Sequence, residues 1–255
     1  MNREQRDRAL FDRIAARYAR KDSLASSSAL RREKLFFALA PLLAGGGDLG
    51  TVVDVGCGAG GPSTYLRGRY RRYIGIDHSR ELIAAARHLH GDNPQAEFIA
   101  ANIKEPGLPA RVADLVLCDG ALHHMTGLDQ VMKALAAIAK PGAFIVAIEP
   151  QRSNPLIAGM RRLRGWLDRS YSRDQVSFSR DDLEALFSAI GVADIRFRWQ
   201  GFFATPFAEV PLAPQFLFVP LGRLAAALDR WLQAHLPGLM RRLAFNIVAS
   251  GRFPA

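Results

Sequence analysis

The chain has 255 residues, 49% of them hydrophobic, which is enough to bury the core of one α/β domain. Its formal net charge of +10 is compatible with RNA, an anionic membrane surface or an acidic ligand, and selects none of them. The only two cysteines, Cys57 and Cys118, predict reduced thiols in a cytoplasmic protein rather than a disulfide framework. Because the first residues are charged and no apolar run reaches spanning length, we expect neither a signal peptide nor a transmembrane helix.

Residues 1–48 predict a pair of amphipathic helices. Apolar side chains follow helical spacing between residues 3 and 20 and again between residues 30 and 42, and three glycines end the second helix. We expect this N-terminal region to act as a cap or lid over a substrate.

Residues 49–150 alternate short apolar runs with amphipathic helices. This alternation predicts a Rossmann-like parallel sheet covered on both faces, and ligands bind at the carboxyl ends of the strands in such sheets. The predicted strands are Val52–Val55, Tyr73–Ile76, Glu97–Ala100, Leu115–Cys118 and Ala143–Ile148, and the predicted helices are 62–68, 81–89 and 128–139.

Residues 151–255 are expected to complete the same domain. An apolar insert at 201–243 is interrupted by prolines in its first half, and a connection of that length usually has a function. The predicted helices of this region are 155–168, 180–190 and 221–236, and its predicted strands are Ile195–Trp199 and Ala244–Ala249.

A glycine-rich turn, Gly56-Cys57-Gly58-Ala59-Gly60-Gly61, follows the first predicted strand. It fits the dinucleotide fingerprint G-x-G-x-x-G and, with Asp54 in front, the pattern D-x-G-x-G-x-G. An acid before the turn disfavours a pyrophosphate, since like charges repel, and favours a ligand that carries positive charge. Asp77, at the end of the second strand, suits ribose hydroxyls in either case.

Four segments resemble class I S-adenosylmethionine-dependent methyltransferases of the small-molecule or lipid type, similar to the ubiquinone and menaquinone methyltransferases. Asp54–Gly60 resembles their motif I, Asp119–Met125 their segment after the fourth strand, Lys140–Ala143 their Pro-Gly turn, and Phe11–Tyr18 their Phe-Asp-x-x-Ala-x-x-Tyr lead-in. The resemblance implies a Rossmann-like seven-stranded sheet with an antiparallel last strand, N-terminal helices, a helical apolar insert before that strand, and methyl transfer from S-adenosylmethionine.

The same resemblance implies a set of cofactor-binding residues. Asp54 would meet the amino group of the methionyl part directly or through water, and Asp77 would accept hydrogen bonds from both ribose hydroxyls. Asn102 stands where the family usually has an aspartate facing the adenine amino group, and an amide carbonyl can also accept that bond. The expected set is Tyr18, Asp54, Gly56, Cys57, Gly58, Gly60, Asp77, His78, Asn102, Ile103, Cys118 and Asp119.

His123 and His124, after the fourth strand, are the candidate catalytic residues. A histidine with a near-neutral pKa could deprotonate a hydroxyl or phenol as the methyl group moves. The alternative is that these side chains bond a nearby carbonyl and orient the loop. Some quinone-ring O-methyltransferases carry Glu-x-x-Glu-His here, and this chain has neither carboxylate, so no metal ion is expected.

Three interpretations of the insert at 201–243 stay open. It is a lid over an apolar pocket, a patch that docks on a membrane with help from the basic segment 161–173, or a homodimer interface. The first two imply a hydrophobic small-molecule or lipid-linked methyl acceptor. The second adds peripheral contact with the inner face of the membrane to a cytoplasmic location.

Two other functions also stay open. The net charge motivates an RNA methyltransferase, but no Asn/Asp-Pro-Pro-Tyr/Phe motif follows the fourth strand, so no nucleic-acid partner is expected. The glycine turn alone would also fit a non-catalytic or NAD-binding Rossmann protein.

Overall fold

The computed structural model describes residues 3–44, 46–152, 154 and 176–255 and centres on one seven-stranded sheet. Its strands are β1 Thr51–Val55, β2 Arg72–Asp77, β3 Ala96–Ala100, β4 Ala113–Asp119, β5 Ala139–Pro150, β6 Ala193–Gln200 and β7 Asn246–Arg252. They lie in the order β3-β2-β1-β4-β5-β7-β6, with β1 to β5 parallel and β7 antiparallel to both of its neighbours. The predicted Rossmann-like sheet with an antiparallel last strand is confirmed.

Two of the described helices begin at capping side chains. The Ser79 hydroxyl accepts from the Leu82 N–H, and Ser179 and Asp182 form a capping box. The predicted helix 155–168 and the basic segment 161–173 lie outside the described residues. The described helices are α1 Arg3–Ser23, α2 Ala25–Leu43, α3 Gly61–Tyr65, α4 Arg80–His90, α5 Leu128–Ile138, α6 Arg180–Ser188, α7 Thr205–Glu209, α8 Gln215–His235 and α9 Pro237–Leu243.

The sheet is apolar on both faces, as its continuous apolar strands predict. Val53 and Val55 of β1 join the core cluster that packs under α5 and α6, whereas Val52 joins the cluster under α2 and α4. Because side chains alternate across a strand, Asp54 lies on the same face as Val52. That direction decides what Asp54 contacts in the site.

The insert is more helical than its prolines predict. Helix α8 begins at Gln215 rather than at residue 221 and contains Pro220, which is exposed and removes one backbone donor. The buried carboxylate of Asp229 accepts the backbone N–H groups of Phe202, Phe203 and Ala204 at 2.9–3.0 Å, which fastens α8 to the start of the insert. Among the described residues, no helix has both the length and the apolar content needed to cross a bilayer.

Candidate active site

The turn after β1 has a backbone that glycine adopts far more readily than other residues. Gly56, Gly58 and Gly60 have φ values of +73°, +55° and +81°, in the left-handed region. A Cβ at Gly56 would lie 2.5 Å from the Ala121 Cβ, and one at Gly58 would lie 2.9 Å from Cε1 of Tyr18. The turn is therefore a close-fitting cradle between these two side chains.

A cavity of about 390 Å³, here called the first cavity, opens above this cradle at the carboxyl ends of the parallel strands. Its volume falls in the range typical of small-molecule sites. Helix α1 covers one side of it with Glu4, Arg8 and Phe11. Eight of the predicted site residues line it: Tyr18, Gly56, Gly58, Asp77, His78, Asn102, Ile103 and His124.

Asp77 ties the end of β2 to the glycine turn. Its Oδ2 accepts the Gly58 N–H at 3.0 Å, and its Oδ1 accepts the Ser79 N–H at 2.9 Å. Burial raises the pKa of Asp77, while these backbone donors and His78 oppose the rise. Each carboxylate oxygen can accept a further hydrogen bond from a ligand in the first cavity.

Helix α1 supplies polar contacts to the site that motif reasoning missed. Glu4 pairs with Lys104 beyond β3 and accepts from the Thr126 hydroxyl at 2.6 Å. The Ser79 hydroxyl donates to Asp12 of the same helix at 2.6 Å. These bonds hold α1 over the first cavity, and only the acidic and basic composition of α1 hinted at them.

Asp54 does not line the first cavity. It points to the opposite face of the sheet, where the Tyr73 hydroxyl donates to its Oδ2. It is 1% exposed, and its Oδ1 has no hydrogen-bond partner within the protein. The predicted contact between this carboxylate and a ligand amino group is therefore not available directly.

Four further predicted residues lie near the first cavity without lining it. Cys57 packs beneath the turn, and a Cβ at Gly60 would clash with Phe98, so both serve the packing of the turn on the sheet. Cys118 is fully buried, because its side chain points into the core on one face of the sheet and does not reach the edge where the first cavity lies. Asp119 lines a neighbouring cavity instead.

Burial of Asp54 makes stability depend on pH. Burial raises its pKa to about 7, against the opposing Tyr73 hydroxyl, so the native state holds a proton that the unfolded chain releases above about pH 4. We expect the free energy of unfolding to fall as pH rises between these values. The asparagine of Asp54→Asn cannot titrate. The free energy of unfolding of this variant, relative to wild type, should therefore increase by an amount on the order of 4 kcal/mol as pH rises through this range.

Urea denaturation at pH values below and above that range measures the effect. Asp48→Asn is the matched control, because Asp48 is exposed at the surface before β1. The free energy of unfolding of Asp48→Asn should change with pH as that of the wild type does. The same pH dependence for Asp54→Asn would show that Asp54 is ionised in the native protein throughout.

A second cavity, of about 200 Å³, adjoins the first and shares Phe11, Tyr18, Gly120 and His124 with it. Apolar side chains of α1 and of the segment after α7 form part of its wall. The remainder includes Asp119 and His123, so this cavity also holds a predicted cofactor residue and a predicted catalytic residue. Its other apolar lining residues are Leu10, Ile14, Ile148, Pro150, Val210, Pro211 and Phe245.

The two lysines and two carboxylates that line the second cavity form ion pairs. Lys34 Nζ lies 2.6 Å from Asp119 Oδ1, and Lys21 Nζ lies 3.2 Å from Glu209 Oε2. Burial raises the pKa of Glu209, but Lys21, Arg31 and Lys34 together lower it by more, so its pKa lies well below the usual range. The cavity therefore combines apolar walls with two lysine–carboxylate ion pairs and two arginines, Arg17 and Arg31.

Four titratable side chains lie at the boundary of the two cavities or directly behind it. The His123 Nδ1 lies 2.8 Å from Oε2 of Glu149 at the end of β5, and the His123 and His124 rings are 4.0 Å apart. Burial, with His123, lowers the pKa of His124 to about 4, so His124 is neutral at neutral pH. Burial also raises the pKa of Tyr18 well above its usual range, so its phenol keeps its proton.

Glu149 is the residue of this group that sequence reasoning missed. It is fully buried, and it accepts the backbone N–H groups of Ala121, Leu122 and His123 at 3.1, 2.8 and 3.3 Å. Burial raises its pKa to about 8, although these donors favour its ionised form. A glutamate that ends an otherwise apolar strand was the signal available in the sequence.

Comparisons with known proteins agree with this fold. Residues 53–147 match a family model described as a methyltransferase domain. The chain is 28% identical over 170 residues to the ubiquinone/menaquinone biosynthesis C-methyltransferase of Syntrophotalea carbinolica, covering 64% of this chain and 70% of that protein. It is 31% identical over 127 residues to the ubiquinone biosynthesis O-methyltransferase of Rhodopseudomonas palustris, covering 46% of this chain and 48% of that protein.

Among solved structures, an S-adenosylmethionine-dependent methyltransferase from Thermotoga maritima superposes with a TM-score of 0.64 at 15% identity, over 96% of this chain and 98% of that one. The matched domain, the sheet and the relatives define a class I S-adenosylmethionine-dependent methyltransferase. Within that class the chain is similar to ubiquinone and menaquinone methyltransferases, and its cofactor is S-adenosylmethionine. The alternative of a non-catalytic or NAD-binding protein is set aside.

Proposed function

We propose that the protein transfers a methyl group from S-adenosylmethionine, bound in the first cavity, to a hydrophobic hydroxylated aromatic acceptor in the second. The observation that carries this proposal is that the two cavities share a wall of Phe11, Tyr18, Gly120 and His124. A donor and an acceptor held on either side of that wall are brought together in a fixed orientation, which supplies much of the rate of a displacement.

The first cavity has the donors and acceptors that the cofactor needs. The cradle of Gly56 and Gly58 has no room for side chains, which permits close approach of a ligand to the backbone. Asp77 would accept from the ribose hydroxyls, and Asn102 and Ile103 would contact the adenine ring. When bound, S-adenosylmethionine supplies a methyl group already activated on a sulfonium, whose carbon–sulfur bond breaks as the bond to the acceptor forms.

The chain is organised around this reaction in three parts. Residues 1–48 cap the site through α1 and α2, residues 49–150 hold the cofactor, and residues 151–255 complete the domain and contribute the insert at 201–243. Support comes from α1, which lines both cavities, and from Glu209, Val210 and Pro211 of the insert, which line the second.

The acceptor class follows from the second cavity and from the relatives. Apolar side chains of α1 and of the insert would enclose an aromatic ring and exclude water. Two relatives are named trans-aconitate 2-methyltransferases, and several others carry names of ubiquinone or menaquinone biosynthesis methyltransferases. We therefore assign a quinone precursor, with a hydroxylated ring and an apolar tail, as the acceptor.

His123 is the proposed general base. With Glu149 ionised, Nδ1–H of His123 donates to Oε2 and the lone pair resides on Nε2, the arrangement that accepts a proton from an acceptor hydroxyl. Glu149 acts through His123 and is a positioning residue. His124, neutral and packed edge-on against Phe11, forms part of the boundary between donor and acceptor.

An acceptor of this class partitions into lipid rather than water, so we propose that the enzyme works as a cytoplasmic protein in peripheral contact with the inner face of the membrane. The RNA methyltransferase alternative rests on the net charge of +10 alone. A homodimer remains the third interpretation of the insert.

Transfer of a labelled methyl group tests the function. Wild-type protein is incubated with methyl-tritiated S-adenosylmethionine and either a short-tailed isoprenoid naphthoquinol lacking the ring methyl, a short-tailed isoprenoid catechol, or an RNA transcript. We expect label in the organic extract of one quinol or catechol reaction. Label in the RNA, with none in either extract, would overturn the proposal.

A further inference from the structure

The surface of α8 and α9 exposes an apolar stripe. Of the ten exposed large apolar side chains among the described residues, eight lie between Phe216 and Leu239. Five of them follow the spacing i, i+4, i+7, i+11 and i+14, which places them on one face of a helix. The stripe consists of Leu217, Leu221, Leu224, Leu228 and Trp231, with Phe216, Leu236 and Leu239 beside it.

This face is not the side of α8 that packs on the domain. The packed side carries small residues, and Ala226 lies against Leu30 of α2 and Ala208 of α7. The hydrogen bonds from Phe202, Phe203 and Ala204 to Asp229 fix the helix in that orientation. The helix therefore has two apolar faces, one that closes the core and one that is open to solvent.

The exposed charged side chains on the two helices that carry the stripe are of one sign. The only acidic residue between Gln215 and Leu243 is Asp229, and it is buried and bonded to backbone. The exposed charged residues of α8 and α9 are all arginines: Arg223, Arg230, Arg241 and Arg242. Glu33 of α2 pairs with Arg230, and the chain as a whole carries a net charge of +10.

We infer that this face docks on an anionic lipid bilayer. A solvent-exposed leucine stripe with a tryptophan and arginine-only flanks is the composition of a helix that lies in the membrane interface. Trp231 suits the headgroup level, and the arginines can reach lipid phosphates while their stems stay in apolar surroundings. If a second copy of the chain bound this face instead, arginines would lie on both sides of the contact and would repel one another.

A third cavity, of about 340 Å³, offers a route by which a membrane-dissolved acceptor would reach the second cavity. It lies between α2, α7 and α8, with Leu30, Phe37 and Ala226 in its wall, and it shares Lys34, Glu209 and Asn246 with the second cavity. An apolar acceptor tail entering beneath α8 would lead to the second cavity. This route rests on the proposed function, whereas binding of the stripe to lipid does not.

Vesicle sedimentation tests the inference without any methyl acceptor. Wild-type protein is mixed with vesicles of phosphatidylglycerol and phosphatidylcholine, or of phosphatidylcholine alone, and the bound fraction is measured. We expect binding to the anionic vesicles, with a partition coefficient that falls about tenfold in Leu228→Asp. Leu89→Asp is the matched control, because Leu89 of α4 is 42% exposed against 43% for Leu228, and it should bind as wild type.

A second set of variants tests how much the arginine charges contribute to vesicle binding. Arg223→Glu combined with Arg242→Glu should weaken binding to the anionic vesicles severalfold, whereas Arg69→Glu, before β2, should have little effect. Retained binding of S-adenosylhomocysteine shows that each variant is folded. If wild type stays in the supernatant with anionic vesicles, the inference is wrong. Dimerisation that Leu228→Asp abolishes would then assign the face to a second copy.

Discussion

Replacing Asp77 by alanine is expected to weaken the binding of S-adenosylhomocysteine by about a hundredfold or more. Two hydrogen bonds to an ionised carboxylate are lost, and each is worth about 1.5–3 kcal/mol. The change also removes the acceptor for the Gly58 N–H, which loosens the cradle. Isothermal titration calorimetry of the variant against wild type measures the loss.

Asp48→Ala provides the matched control for this change. Asp48 accepts the N–H of Gly50, two residues ahead, at 2.8 Å, as Asp77 accepts that of Ser79 at 2.9 Å. Both variants lose a turn-stabilising carboxylate, but only Asp77 faces the first cavity. Equal affinities in the two variants would remove Asp77 from the cofactor site, and thermal unfolding shows whether each remains folded.

The second large effect is expected from His123→Gln and Glu149→Gln, which should each lower kcat by about 10²- to 10⁴-fold for a hydroxyl acceptor. Glutamine at 123 has no basic nitrogen. Glutamine at 149 donates to Nδ1 and so shifts the ring hydrogen to Nε2, the wrong tautomer for a base. Binding of S-adenosylhomocysteine should be unchanged in both variants, and His88→Gln, at an exposed position on α4, should retain wild-type turnover.

The pH profile separates a positioning role of Glu149 from a merely structural one. Because burial raises the pKa of Glu149 to about 8, the carboxylate that the dyad requires forms as pH rises through that value. The wild-type rate should therefore rise with pH in this range, and Glu149→Gln should lose that limb. A variant that keeps the limb, with only a uniform loss of rate, would make Glu149 a support for the loop and nothing more.

The residues of the glycine turn, Asp77 and Asn102 were predictable because they follow strands whose apolar runs are evident in the sequence. Motif position gives the end of a strand, but not the direction of each side chain. Asp54 illustrates the difference, since the alternation along β1 turns it toward Tyr73 and away from the first cavity. Counting alternate residues from Val53 and Val55 would have predicted that direction.

Glu149 and Glu4 were not predictable in the same way. Each contributes through partners more than 25 residues away in the chain, His123 in one case and Lys104 in the other. Such pairs depend on how β5 and α1 pack against the rest of the domain. Sequence patterns within a single helix or strand do not predict that packing.

The insert shows a different limit. Its leucine spacing correctly predicted an amphipathic helix, but periodicity does not tell which apolar face meets the core. In α8 the small residues are buried together with Leu232, whereas Leu221, Leu224 and Leu228 are exposed. The small residues allow close approach of α8 to α2, and the leucine stripe is left for a partner.

Titration of the wild-type protein with S-adenosylhomocysteine, and separately with NAD, shows which of the two cofactor classes the first cavity binds. We expect one site for S-adenosylhomocysteine with micromolar affinity and no heat from NAD. Micromolar binding of NAD with no response to S-adenosylhomocysteine would contradict this expectation.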